Sequence, residues 1–272
     1  MCCGLAGRST SFGLTSKPHE IPMTRNLLRA SGAALLALCL FAPVTRASVI
    51  IAGTRVVFPA KDGEVTVRMT NDNTHPALVE AWIDNGDPHS TPDKVNVPFL
   101  ITPPLFRMEE HRDQSLRIIA TPTAATLPGD RESLFWLNVL EIPPKPSGQQ
   151  FTGKNTLQFA IRSRLKFFYR PASLVGDPDK APEQMTWKVV ADSHGYALEV
   201  HNPTPYHVTI VNVALQIGGH AYTVDTGMVD PLGALRLPLK GLTQAPAAGT
   251  PIMYDSINDF GATPAHKASV TP

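Results

Sequence analysis

Beyond Ser48, no stretch of this 272-residue chain holds a convincing apolar stripe of helical period for more than ten residues. Almost every apolar run alternates with period two instead. "EVTVRMTN" sets Val65, Val67 and Met69 on one side, and "ALVEAWID" sets Val79, Ala81 and Ile83 against Leu78, Glu80 and Trp82. "QSLRII", "LFWLNVLEI", "LQFAIRSRLKFFYR", "TWKVVAD", "YALEVHN", "YHVTIVNVALQIGG" and "IMYDSIND" continue in the same manner. Turn-prone clusters such as "AKDG", "NDNTHP", "DNGDPHSTPD" and "LPGD" separate them. Alternate side chains on opposite faces leave each strand one face to bury. The chain also carries 26 prolines, roughly twice the usual ~5% share; proline breaks helices and suits turns and edge strands. The expected class is all-β, with short antiparallel strands packed as sandwiches. A hydrophobic share of 43% against 17% charged residues supplies a packed core and argues against disorder. A net charge of +1 makes no electrostatic case for nucleic acid.

The first 47 residues read as processing sequence. Arg25 and Arg29 precede the apolar run "ASGAALLALCLFAPV", and "TRA" at Thr45–Ala47 offers small residues for cleavage after Ala47. The expected start of this signal peptide is Met23, with Met1–Pro22 an upstream extension. Its apolar run falls short of the ~20 residues of a membrane span, so no membrane insertion is expected after cleavage. All three cysteines, Cys2, Cys3 and Cys39, lie in this segment. The mature chain then has no disulfide and no thiol nucleophile or ligand.

Two domains are expected: 48–170, then a linker over 171–185, then 186–272 with a frayed tail, "TPAHKASVTP". The linker reading rests on three prolines, several charges and few large apolar residues in "PASLVGDPDKAPEQM". Each domain approaches the ~100 residues of an immunoglobulin-like sandwich. Trp82, Phe135, Trp136 and Trp187 read as core aromatics. His201 and His207 are the closest histidine pair on a plausible strand and turn, but spacing offers no third ligand, so they read as surface or satisfied histidines. "GDPHS" lacks the pattern of a hydrolase nucleophile, and "IGG" and "GDRES" are not phosphate loops. No metal, cofactor or catalytic group is expected.

Six segments then agree in order. They are "GTRVVFPA", "FLITPPLFRME", "LPGDRESLFWLNVLEIPP", "RLKFFYRP", "NPTPYHVT" and "INDFGA". Following a signal peptide, they resemble the periplasmic chaperones of the chaperone–usher pilus pathway over nearly all of residues 48–262. The resemblance implies two immunoglobulin-like sandwich domains in an L or boomerang, and a non-enzymatic, periplasmic function. It implies pilus or fimbrial subunits as partners, a strand donated to each subunit's incomplete sandwich, and delivery to an outer-membrane usher. A self-capping homodimer of the free chaperone is compatible with it. Strand donation of this kind is a documented mode of recognition.

Within that resemblance, Leu157, Phe159 and Ile161 are the donor hydrophobics. Their alternation alone is compatible with covering either the chain's own core or another protein's. Arg55 and Lys166 are implied to anchor the subunit's C-terminal carboxylate, a task suited to a guanidinium beside an ammonium. Glu132, Arg170 and Asp259 are implied to form ion pairs between the domains. The absence of cysteine from the mature chain favours the branch of the family with a short loop before the donor strand. "MEEHRDQS" departs from the family in having Glu110-His111 for the usual Pro-Gly turn, and "INDFGA" has Phe260 where Tyr is common. Two other classes compete: an immunoglobulin-like structural or adhesion protein of a surface fibre, and a secreted hydrolase, for which no nucleophile–base constellation stands out.

Overall fold

The alternating runs pair into four sheets, two to a domain. The structure, a computed structural model, describes residues 49–146, 153, 155–193, 195–242 and 244–272. The expected signal peptide, its cysteines and much of the loop before the expected donor segment lie outside the described residues. The first domain comprises β1 (Val49–Ile51), β2 (Arg55–Pro59), β3 (Glu64–Asn71), β4 (Ala77–Asp84), β5 (Phe99–Thr102), β6 (Leu105–Met108), β7 (Asp113–Ala120), β8 (Ser133–Ile142) and β9 (Ile161–Arg170). The second comprises β10 (Thr186–Asp192), β11 (Gly195–His201), β12 (Val208–Ile217), β13 (His220–Thr223), β14 (Gly227–Val229), β15 (Ala234–Leu239), β16 (Pro251–Ile257) and β17 (Ala265–Ser269).

In the first domain, β1-β3-β7-β5 faces β2-β9-β8-β4-β6. The chain changes sheets between β1 and β2, where Gly53 takes a φ of 91°. That crossing lays β2 parallel to β9, with Arg55 opposite Lys166 and Pro59 opposite Arg170; β8 flanks β9 antiparallel on the other side. Inward residues at every second position meet in one core. Phe58, Phe99, Phe135, Phe167 and Tyr169 cluster there with ring centroids 4.9 to 6.5 Å apart, the spacing of favourable edge and offset contacts. The turn at "MEEHRDQS" holds His111 at a φ of 55°, a left-handed conformation that glycine adopts more readily. The second domain builds its own core from Trp187, Leu198, Ile210, Leu215 and Ile252, packed between β10-β11-β15 and the sheet of β12, β13, β14, β16 and β17. Two immunoglobulin-like sandwiches result.

Four expectations need correction. The 171–185 segment is not simply a linker: Ala181 and Met185 belong to the second core, and Tyr254 Oη donates to the Pro182 carbonyl at 2.7 Å. A few buried residues and one hydrogen bond to the backbone are enough to dock it, despite its low apolar content. The tail is not frayed. β17 pairs with β16 from Ser269 opposite Pro251 to Ala265 opposite Asp255, and Val270 is buried. Backbone pairing secures it, and Thr271 N donates to the Trp187 carbonyl at 2.7 Å. Of the four aromatics, Phe135 and Trp187 are core. Trp82 is buried as expected, beneath Arg162, whereas Trp136 is only half-buried beneath Arg164. Finally, the "LQFAIRSRLKFFYR" strand starts only at Ile161. Its β8 ladder begins there, opposite Glu141, so Leu157–Ala160 pair with no strand among the described residues.

Candidate functional site: the donor segment and domain junction

The odd-numbered positions of β9 carry one face of the strand from inside the protein to outside it. Phe167 is fully buried and Leu165 is 8% exposed. Ile161 is 55% exposed, and upstream Phe159 and Leu157 reach 69% and 78%. Apart from Ser163, the residues on both sides of this change are large and apolar; what changes is the cover. β2 flanks β9 only from Lys166 to Arg170. Among the described residues, 161–165 therefore present an unpaired edge, a template for another strand.

Two cations of the first domain, Lys166 on β9 and Arg55 on β2, reach the second domain. Lys166 Nζ donates to Thr209 Oγ1 at 3.0 Å, and Arg55 Nη1 donates to the Ile257 carbonyl at 2.8 Å. Neither cation meets a carboxylate within ion-pair distance among the described residues, and the buried Arg55 Nε has no hydrogen-bond partner. Burial, and then the adjacent Arg55 charge, lowers the Lys166 pKa from 10.5 to about 8. Burial also lowers that of Arg55, against the opposing charges of Asp259 and Glu132. Two neighbouring, half-buried cations without an ion-pair partner among the described residues make a site suited to an anion.

The strand's last cation is fully paired. Arg170 Nε donates to Glu132 Oε1 at 2.7 Å, while Nη1 and Nη2 reach the two oxygens of Asp259 at 2.8 and 3.1 Å. Burial opposes the Arg170 charge, but the Asp259 hydrogen bonds and the Glu132 charge more than offset it and raise its pKa. Glu132 is itself 4% exposed. Burial pushes its pKa up, but hydrogen bonds from His207 and the Arg170 charge bring it below the ordinary value. His207 donates its backbone N–H to Glu132 Oε2 at 2.8 Å, with Nδ1 3.2 Å from the same oxygen. The sequence marked His207 as a satisfied histidine but not as a member of this cluster; its position in "NPTPYHVT", at the entry to β12, was the available signal. The loop bearing Asp259 is pinned by Asn258, whose Oδ1 accepts from Phe260 N and Ala262 N. Gly261, at a φ of 84°, lies so close to Thr54 that a Cβ would fall 2.6 Å from its Oγ1. A pocket of about 320 Å³ beside the network is lined by Arg55, Phe168, Glu132, Arg170 and His207 among others. Phe260 itself is 86% exposed.

Comparison with known proteins places this geometry in a wider set. The profile described as "Pili and flagellar-assembly chaperone, PapD N-terminal domain" matches residues 48–175, and "Pili assembly chaperone PapD, C-terminal domain" matches residues 180–268. The chain is 44% identical over 243 residues to chaperone protein FimB/FhaD of Bordetella pertussis, covering 89% of this chain and 95% of that protein. The crystal structure of the YadV chaperone superimposes with a TM-score of 0.69 at 35% identity, covering 82% of this chain and 100% of that one. A structure of the Salmonella enterica SafA pilin in complex with the SafB chaperone matches at a TM-score of 0.66 and 26% identity, covering 85% and 99%.

Proposed function

We propose, because the chain belongs to the pili assembly chaperone family, that it acts in the periplasm by capturing pilus or fimbrial subunits through the segment upstream of β9 and passing them to an outer-membrane usher. The observation that carries this reading is that the odd-numbered apolar positions leave their own core at the start of β9, so that Leu157, Phe159 and Ile161 are exposed. A sandwich lacking one strand exposes an apolar groove between two unpaired edges. A donated strand supplies backbone groups to those edges and alternate side chains to the groove. Three such side chains contribute roughly 5–9 kcal/mol before ordering costs, at ~1.5–3 kcal/mol each. Arg55 and Lys166 supply the second requirement, a fixed register. Holding the subunit's terminal carboxylate at these cations sets which residue meets which pocket, and a one-residue slip would turn the wrong face inward. The Arg170, Glu132 and Asp259 cluster then holds the two domains around that anchor.

Nothing in this mechanism requires bond chemistry: capture is reversible pairing and burial. The test is periplasmic co-expression with subunits encoded beside an usher, followed by co-purification. Wild-type protein should retain and protect subunit, whereas Lys166→Ala should keep its fold and lose capture. Protection by Lys166→Ala at the wild-type level would refute the anchor.

A further inference from the structure

Five residues outside the anchor surround the open half of β9 on its even-numbered face. Asp84, at the end of β4, is fully buried. Its Oδ1 accepts from Arg164 Nη2 at 2.6 Å and from Gly86 N at 2.7 Å; its Oδ2 accepts from Asn138 Nδ2 at 2.7 Å and Ser90 Oγ at 2.9 Å. Arg162 is held in turn by Asn138 Oδ1, at 2.9 Å from Nε and 2.7 Å from Nη2. It also donates to the Pro88 carbonyl at 2.9 Å and to Ser90 Oγ at 3.1 Å. The guanidinium carbons of Arg162 and Arg164 lie 4.7 and 4.3 Å from the ring centroids of Trp82 and Trp136. Arg162 and Arg164 are thus bound from below by one buried carboxylate and its neighbours, and packed against two indoles.

We propose that Asp84 is a positioning residue for strand donation, holding Arg162 and Arg164 so that the unpaired half of β9 stays extended with its opposite face presented to the subunit. This rests on the capture reading above. Residues 161–165 have β8 on one flank and, among the described residues, no strand on the other. A single ladder leaves such a segment free to fray, and ordering it during binding would weaken or slow capture. The two arginines lie at alternate positions, so fixing them directs Ile161 and the segment before it to the other side. Burial alone would raise the Asp84 pKa, but Arg164 and the remaining donors lower it, so the carboxylate stays ionised as the clamp requires.

The test compares Asp84→Asn, Arg164→Gln, Phe159→Ala and the wild type. Each is assayed for subunit association rate, melting temperature and amide hydrogen exchange over 157–165 in the free protein. Asp84→Asn should slow capture about tenfold and accelerate exchange over that segment, and Arg164→Gln should do the same to a smaller extent. A merely structural residue would lower the melting temperature without selectively loosening 157–165. Wild-type capture and exchange in folded Asp84→Asn would overturn the proposal; if that variant fails to fold, Arg164→Gln is judged by the same criterion. Phe159→Ala separates the two readings. If it captures normally, strand donation itself fails; if it is impaired while the clamp variants are not, only the role of Asp84 fails.

Discussion

Two stretches of one alternating run, one inside β9 and one at and before its start, carry the same kind of residue and meet opposite fates. Leu165 and Phe167 are buried in the first domain's core, while Leu157, Phe159 and Ile161 are exposed. Alternation and hydrophobicity do not distinguish them. What differs is that the downstream half lies opposite the facing sheet, between β2 and β8, and the upstream half runs past its partners. A solvent-exposed apolar face is therefore a consequence of where neighbouring strands end.

The sharpest way to break the comparison is to truncate both halves. Phe167→Ala should destabilise the free protein by about 3–5 kcal/mol, the usual range for a buried phenylalanine, read by denaturant unfolding. Phe159→Ala should leave that stability within about 0.5 kcal/mol of wild type. Equal losses would mean that the upstream face is covered after all.

The cations of the other face invite the same contrast. Arg170 is paired, so Glu132→Ala removes one partner of a buried pair; this typically costs ~3–5 kcal/mol, reduced here to about 2–3 because Asp259 remains. Unfolding monitored separately in the two domains would read it. Lys166 lacks an ionic partner, so Lys166→Met should unfold no more easily than wild type while losing subunit capture.

Next in size is the affinity effect of the exposed half. Phe159→Ala should weaken subunit binding by about 1–3 kcal/mol, a loss of roughly five- to 150-fold by titration calorimetry. The smallest effect is that of pH. The folded-state pKa of Lys166 is near 8, below the ordinary 10.5. Between those values the unfolded chain holds the extra proton, so the stability contribution of Lys166 improves as pH rises through that window. Carboxylate binding needs the charged form, so capture should weaken above about pH 8 just as the free protein gains stability. Lys166→Arg should flatten the capture profile; a decline that persists in this variant would assign the titration elsewhere.

Much of the fold was legible because each inward residue of the sandwiches repeats a local rule. Val65, Val67 and Met69 had to share a face whatever lay opposite them. The proposed carboxylate anchor and the observed ion pairs were legible only through the resemblance: Arg55 and Lys166 are distant in sequence, and only parallel pairing of β2 with β9 sets them side by side. The 171–185 segment and the tail escaped because their order comes from backbone pairing and small buried residues, not from apolar content. The clamp on Arg162 and Arg164 left no local trace, since it gathers side chains from β4, β8 and the "DNGDPHS" turn.

By itself the sequence determined which residues can share a strand face, where the turns fall and that two sandwiches could form. Periodicity is a property of the chain and needs no partner. Only the tertiary structure decided which part of a face is covered, which cations find a counter-charge and where β9 lacks a neighbour, because burial and pairing depend on what the rest of the chain brings alongside.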